Sequence, residues 1–425
     1  MLSGIFSLTR AASRRGWRGV AQRRNVAGVA ARDVAALGGG GGAWRGGGSQ
    51  CYASRVMPVS PPRSAEQRQP LLVYRDRIGA PSEIAFSRRQ YVNFQTLRPV
   101  WTGRTILPGA TELGGSLLRI GGLRGLLFRH LGIDPGLDLT GFARVVHAQF
   151  ARGGALALPL ARAMDARLVV TLHGGDVGKD KNWRHTLLAR RWPEVVARTH
   201  RFVCVSQAVA AMAIGRGVPE SQLTVLPIGV ELPPALPTGA RTGGFLFAGR
   251  FVEKKGIAPM VDAMRRLRAA GDMTPLVCAG DGPLRPMLET LARDIPGVEL
   301  AGWLSQAELT ARMESALALL VPSVVAAGGD AEGLPSVVPE AMARGCPVIG
   351  TSEGGIAEAI DANVTGLLVP VGDAASLANA MRRLSADPEL TARLATAGFR
   401  AVRQKLNAMR QSAALEAVLL EAASQ

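Results

Sequence analysis

Gly244-Phe245-Leu246-Phe247-Ala248-Gly249-Arg250-Phe251-Val252-Glu253-Lys254-Lys255-Gly256 is the stretch that decides the fold class. Its apolar run is too short for a helix and is bounded by glycines, so it reads as a strand buried on both faces. A cationic turn closes on Gly256, and a helix is predicted over 258–270. Strand, glycine turn and helix make the unit of a parallel, doubly wound sheet. The unit recurs downstream, with strands predicted over 275–279, 298–300, 318–321 and 347–350 and helices over 284–295, 306–315 and 335–344. Such a sheet binds its ligands beyond the carboxyl ends of its strands.

Upstream the same alternation continues less regularly. A strand over 71–74 is followed by the turn Ile78-Gly79-Ala80-Pro81 and a helix for which Ser82 is the expected N-cap. Further strands are predicted over 144–148, 167–172, 201–206 and 223–226, separated by alanine-rich helices. Between the two series, 227–244 turns to Pro, Gly and Thr, and Pro233, Pro234 and Pro237 stiffen a connector. The expected partition is a head over 1–68, a first Rossmann-like domain over 69–232, a linker over 233–243, a second domain over 244–400, and a closing helix over 401–425 that packs back on the first domain. A length of 425 residues suits two domains with separate cores.

Composition narrows the function classes. The formal charge of +17 suggests nucleic acid at first sight, yet residues 1–68 hold eleven Arg against Asp33 and Glu66 alone, so more than half of the excess sits in that head. No aromatic RNP stripe or zinc finger accompanies it, which argues against a nucleic-acid partner and for an anionic substrate or membrane face. The head is rich in Arg, Ala and Gly, with glycine tracts at 38–42 and 46–48, and is expected to be disordered. It reads as an appended start or, by its acid-poor composition, as a transit peptide. No apolar run is long enough to span a bilayer, so a soluble, cytoplasmic chain is expected. Cys51, Cys204, Cys278 and Cys346 stand singly and the five His are dispersed, a pattern that points to a reducing compartment and to no metal site.

Several turns carry chemistry. Arg250 and Lys255, set in a glycine turn before a helix, supply two cations to a pyrophosphate. Gly280-Asp281-Gly282-Pro283 and Gly302-Trp303 end the next two strands where a nucleotide base would lie, although Trp303 itself reads as packing. The strongest feature is Glu332-Gly333-Leu334-Pro335-Ser336-Val337-Val338-Pro339-Glu340. Glu332 falls in a loop beside the free amides of Gly333 and Leu334, and Glu340 falls on the following helix, about two turns along. A loop carboxylate can then meet a sugar while the helical one takes ribose hydroxyls.

These second-domain motifs, with Thr351-Ser352-Glu353-Gly354-Gly355, closely resemble the retaining GT-B glycosyltransferases usually called family 4. The resemblance covers about 70–400 and is strongest from 243 on. In the first domain, Thr171-Leu172-His173-Gly174-Gly175-Asp176 and Ser82-Glu83 are similar to loops of the branch that builds exopolysaccharides and colanic acid. The resemblance implies two Rossmann-like domains facing across a cleft. It implies that Arg250 and Lys255 hold the donor diphosphate, that Glu332 contacts the transferred sugar, and that Glu340 binds ribose. Gly249, Gly280, Gly282, Gly302, Trp303, Gly333 and Leu334 would complete the donor site. His173 would sit at the sugar and donate to a hydroxyl or help position the acceptor, with Asp176, Ser82 and Glu83 positioning that side. The family's paired glycines in the first loop are replaced here by Ile78-Gly79-Ala80-Pro81, and the head has no counterpart.

The expected function is therefore transfer of a sugar from a nucleoside diphosphate sugar to a saccharide or lipid-linked saccharide, without metal or cofactor, at or near the inner membrane face. Rival readings are a transfer-inactive scaffold that binds nucleotide sugars, a nucleotide-sugar epimerase, a phosphorylase, and an NAD(P) oxidoreductase. The last is disfavoured because no GxGxxG follows the strand at 71–74.

Overall fold

In the computed structural model the opening stretch forms the central strand of a six-stranded parallel sheet. The structure describes residues 67–425 apart from 80, 121, 133–135, 137, 179–186 and 328. The disorder expected of the head thus falls, but for its last two residues, outside the described residues.

The first sheet is built from β1 (Gln69–Tyr74), β3 (Leu97–Thr102), β5 (Ser116–Leu117), β6 (Val145–Gln149), β7 (Arg167–Leu172), β8 (Thr199–Cys204) and β9 (Leu223–Val225). Its order is β5-β3-β1-β6-β7-β8-β9, parallel throughout. A side pair joins β2 (Arg77–Ile78) to β4 (Thr105–Ile106). The connecting helices are α1 (Pro81–Tyr91), α2 (Gly122–Leu131), α3 (Ala151–Met164), α4 (Trp192–Arg198) and α5 (Gln207–Ile214). Ser82 lies inside α1, which opens at Pro81. Ser82 is therefore not the expected cap, and Pro81 suits a first helical position through its fixed φ and missing N–H.

The second sheet runs β12-β11-β10-β13-β14-β15, from β10 (Phe245–Ala248), β11 (Leu276–Ala279), β12 (Val298–Gly302), β13 (Ala318–Val321), β14 (Val348–Thr351) and β15 (Leu367–Val369). Its helices are α6 (Ile257–Ala269), α7 (Arg285–Asp294), α8 (Gln306–Ser315), α9 (Val337–Ala343), α10 (Gly354–Ala359), α11 (Ala374–Ala386) and α12 (Pro388–Lys405). Before α8, Ser305 and Glu308 form a reciprocal capping box that satisfies two otherwise orphaned N–H groups.

Alternation along each strand fills two cores per sheet. On β1, Leu72 and Tyr74 face α3, whereas Leu71 and Val73 face the opposite layer. That layer is closed by the last helix, α13 (Ala408–Ala423), whose Leu415, Leu419 and Ala422 are buried on the first sheet. The chain reaches it by a break at Leu406 and Asn407, where Asn407 caps α13 by accepting from Met409 and Arg410. The returning chain lies beside the outgoing linker: Val230 N–H donates to Leu406 at 2.8 Å and Ala408 N–H to Val230 at 3.0 Å. Glu416 accepts three successive N–H groups, those of Gln95, Thr96 and Leu97, at 2.8, 2.7 and 2.8 Å, which fixes the entry to β3.

Candidate active site

The short turn Glu253–Lys255 after β10 aims two ammonium groups at the loop before α9. Lys254 Nζ and Lys255 Nζ each stand 3.3 Å from Glu332 Oε1, and Lys254 also reaches Asp330 at 3.4 Å. The Lys255 stem passes over Gly249, where an added Cβ would meet Lys255 Cε at 3.5 Å. Burial alone would raise the Glu332 pKa, but Lys255 and Lys254 hold it below the usual carboxylate range. The Lys255 pKa is lowered by burial against the pull of Glu332. The pair is thus a desolvated ammonium pinned beside an ionised carboxylate.

From the first sheet, β7 delivers His173 to the same place. Its backbone N–H donates to Asp176 Oδ1 at 3.0 Å, and Asp176 Oδ2 accepts from Ala151 at 2.9 Å. Asp176 therefore ties the His173 loop to the start of α3 and to Phe150, whose ring centroid lies 4.2 Å from that of His173. Phe86 of α1 adds a second ring at 5.3 Å, and Arg75 lies over both phenylalanines. Burial, then Arg75 and His147, push the His173 pKa well below its usual value, so the ring is neutral.

The two loops touch through glycine. A Cβ on Gly333 would stand 2.4 Å from the His173 carbonyl oxygen, and one on Gly174 2.8 Å from the Gly333 nitrogen. Only residues without a side chain permit this approach. Around it, His173, Lys255, Glu332 and Leu334 line one cavity of about 240 Å³ with Phe86, Arg89 and Phe150.

Glu340 sits beside this cavity, one turn into α9 rather than two, because the helix begins only at Val337. It does not stand free: Arg89 Nη2 of α1 meets its Oε1 at 2.5 Å, and both side chains are largely buried. Gly249, Gly280 and Gly302 end β10, β11 and β12 side by side, with Gly249 N–H donating to Ala279 at 3.0 Å and Gly280 N–H to Gly302 at 2.6 Å. Gly282 rests on the Phe251 backbone. These glycines form a ledge that is not part of the cavity's lining, although Gly249 lies under the Lys255 stem. Arg250 next to them is exposed and forms no ion pair among the described residues. Trp303 is 58% exposed, so it is not the packing residue expected from the sequence. Ser82 and Glu83 lie in the first turn of α1.

Sequence reading missed Arg89, Phe86, Phe150 and Gln149. It also missed Glu358 of α10, which caps α5 by accepting from Gln207 and Ala208 at 2.7 Å each. A cluster of Arg, Gln and Tyr at 88–91 on one short helix was the available signal. Among the described residues no group of three His, Cys, Asp or Glu is arranged to hold a metal, and no helix is long and apolar enough to cross a membrane.

Comparison with known proteins adds an independent line. Two family models match the chain: one described as glycosyl transferases group 1 over residues 242–387, and one described as glycosyltransferase family 4 over residues 93–232. An amylovoran biosynthesis glycosyltransferase of Erwinia amylovora is 32% identical over 257 residues, which span 57% of this chain and 61% of that relative. A GDP-mannose-dependent alpha-(1-6)-phosphatidylinositol monomannoside mannosyltransferase of Mycobacterium tuberculosis is 30% identical over 265 residues, 57% of this chain and 67% of the relative. Among solved structures, Anabaena Alr3699/HepE in complex with UDP and glucose superposes with a TM-score of 0.65 at 15% identity, over 83% of this chain and 100% of that one. That likeness is one of fold, two Rossmann-like domains in the GT-B arrangement.

Proposed function

The chain belongs to family 4 of the glycosyltransferases, and from that premise we propose that it moves a sugar from a nucleoside diphosphate donor to a saccharide or lipid-linked saccharide in surface polysaccharide biosynthesis. The observation that carries this reading is the meeting of Lys255, Glu332 and His173 around one cavity at the carboxyl ends of both sheets. The mycobacterial relative's dependence on GDP-mannose and the UDP and glucose of the Anabaena complex support a donor of this class.

As the bond between anomeric carbon and diphosphate oxygen breaks, negative charge grows on the diphosphate. Lys255 and Arg250 offset it, so protein cations do the work that a metal does elsewhere. The acceptor attacks on the face that the diphosphate leaves, with retention of configuration. Glu332 is the one carboxylate among the described lining residues, and its two lysines make it a poor nucleophile. It contacts the transferred sugar instead. Glu340 takes the ribose hydroxyls, which requires Arg89 to share or release it. The ledge of Gly249, Gly280, Gly282 and Gly302, with Trp303 beside it, receives the nucleotide, and the amides of Gly333 and Leu334 face the sugar. Asp176, Ser82 and Glu83 position the acceptor side.

The acceptor side also suits a peripheral seat on the inner membrane face. Helix α2 turns Leu123, Leu126 and Leu131 outward beside the exposed Arg119 and Arg124. Leucines with flanking arginines match an anionic lipid surface.

A thermal-shift panel of UDP-, GDP- and ADP-sugars on the full chain tests the donor assignment. At about one hundred times its dissociation constant a donor adds roughly 2.7 kcal/mol, a shift of a few degrees. The shift is expected with one nucleotide class and is expected to be lost in Glu340→Ala. Absence of a shift with every nucleotide would overturn the donor site and favour the scaffold reading.

A further inference from the structure

Behind His173 runs a line of buried polar side chains that the proposed transfer leaves unused. Gln149, the last residue of β6, gives its amide hydrogens to Gln90 Oε1 at 3.1 Å and to Tyr91 Oη at 2.8 Å. Both donors are then spent, and Gln149 Oε1 can only accept. Its 2.8 Å contact with His173 Nε2 therefore requires the imidazole proton to sit on Nε2. Tyr91, accepting from Gln149, has its own proton to give, and His147 Nδ1 stands 2.8 Å away. His147, accepting at Nδ1, donates from Nε2 to Thr171 Oγ1 at 2.7 Å.

The hydrogen bonds thus share one polarity from His173 to Thr171, and reversing one would mean reversing its neighbours. Tyr91, His147, Gln149 and Thr171 are all buried, where a hydrogen bond left unmade has no water to replace it. The surroundings also oppose an imidazolium. Arg75 lies over Phe86 and Phe150, the two rings packed on His173. At the open end of the line, His173 Nδ1 has no protein partner among the described residues, and the ring lines the cavity.

We propose that Gln149, Tyr91 and His147 are positioning residues that lock His173 as the neutral Nε2–H tautomer, so that its Nδ1 lone pair accepts a hydrogen bond from a sugar hydroxyl. The imidazole then works as an acceptor in the site, where the sequence suggested that it donates to a sugar hydroxyl or helps position the acceptor. The sugar half of this inference rests on the proposed transfer; the tautomer half does not.

Long-range proton–nitrogen correlation spectra of the full chain, labelled with 15N-histidine, separate the two. The His173 signals are assigned by their disappearance in His173→Asn. The wild type is expected to show His173 protonated on Nε2 and bare on Nδ1 from pH 6 to 8. In Tyr91→Phe, which keeps the ring and removes the hydroxyl, the Nδ1–H form is expected to appear. In Gln149→Glu, whose carboxylate still accepts from Nε2–H, the tautomer is expected to persist while the ring's titration moves up into the measured range. A wild-type His173 protonated on Nδ1, or a tautomer unchanged in Tyr91→Phe, would overturn the proposal. So would a Gln149→Glu ring that does not titrate higher. The spectra need no substrate, so failure to detect sugar transfer would count against the proposed activity and leave the tautomer result intact.

Discussion

Arg250 and Lys255 carry the same charge on the same turn and live under opposite conditions. Lys255 is largely buried against Glu332, whereas Arg250 stands in solvent without an ion pair among the described residues. Their substitutions should therefore separate stability from catalysis. Arg250→Ala is expected to change stability by no more than about 0.5 kcal/mol, and Lys255→Ala to cost about 1–3 kcal/mol because Glu332 keeps only Lys254. Both are expected to lower turnover by about 10²–10³, since each removes charge stabilisation that grows as the diphosphate leaves. Urea unfolding and donor-turnover assays on the two variants read this out; near wild-type turnover in either would sink the diphosphate assignment.

Helix α2 is the element whose apolar residues are on the wrong side for a core. Gly125 and Phe128 face inward, yet Leu123 is 69% exposed and Leu131 60%. Flotation with vesicles is expected to recover the chain when they contain anionic lipid and not when they are zwitterionic. Leu123→Ser with Leu126→Ser is expected to abolish recovery without shifting the melting temperature by more than a degree or two. Binding that survives this double change would mean that another surface is used. The elements also differed in how readable they were. Phe245–Ala248, Leu276–Ala279 and Ala318–Val321 are continuous apolar runs, the pattern of strands covered on both faces, and were plain in the sequence. β3 was not, because Arg98 and Pro99 interrupt it. The proline is tolerated because the outer neighbour β5 is two residues long and pairs only from Val100 onward. In the site, Glu332 and Lys255 announced themselves through local glycine turns. Arg89 did not, since its role comes from a carboxylate 251 residues away, a distance over which local pattern carries no information.

Across the whole molecule, the fully buried His147 and the half-buried His173 both weaken the fold in acid. Burial holds His147 down to a pKa of about 3, and His173 well below its usual value. In the unfolded chain each titrates near about 6.5. Below that pH the unfolded state binds protons that the native state refuses, so stability falls as pH drops, by about 2 kcal/mol for His147 between pH 7 and 5, with His173 acting in the same direction. Glu332, with its lowered pKa, contributes in the same direction only below the ordinary glutamate range. Urea titrations at pH 7 and 5 are expected to show this loss, with the His147 share removed in His147→Gln; identical midpoints at the two pH values would contradict it. The returning helix α13 bears on how the molecule is made. Leu71, Val73, Val145, Val169 and Val203 share a core with Leu415 and Leu419, so one face of the first sheet is covered by residues translated after the whole second sheet. At about 5–20 residues per second, the ribosome needs roughly 10–40 s to pass from β9 to α13. Throughout that interval the nascent chain carries a half-finished apolar surface, and the first sheet stays open on one face until α13 has been made.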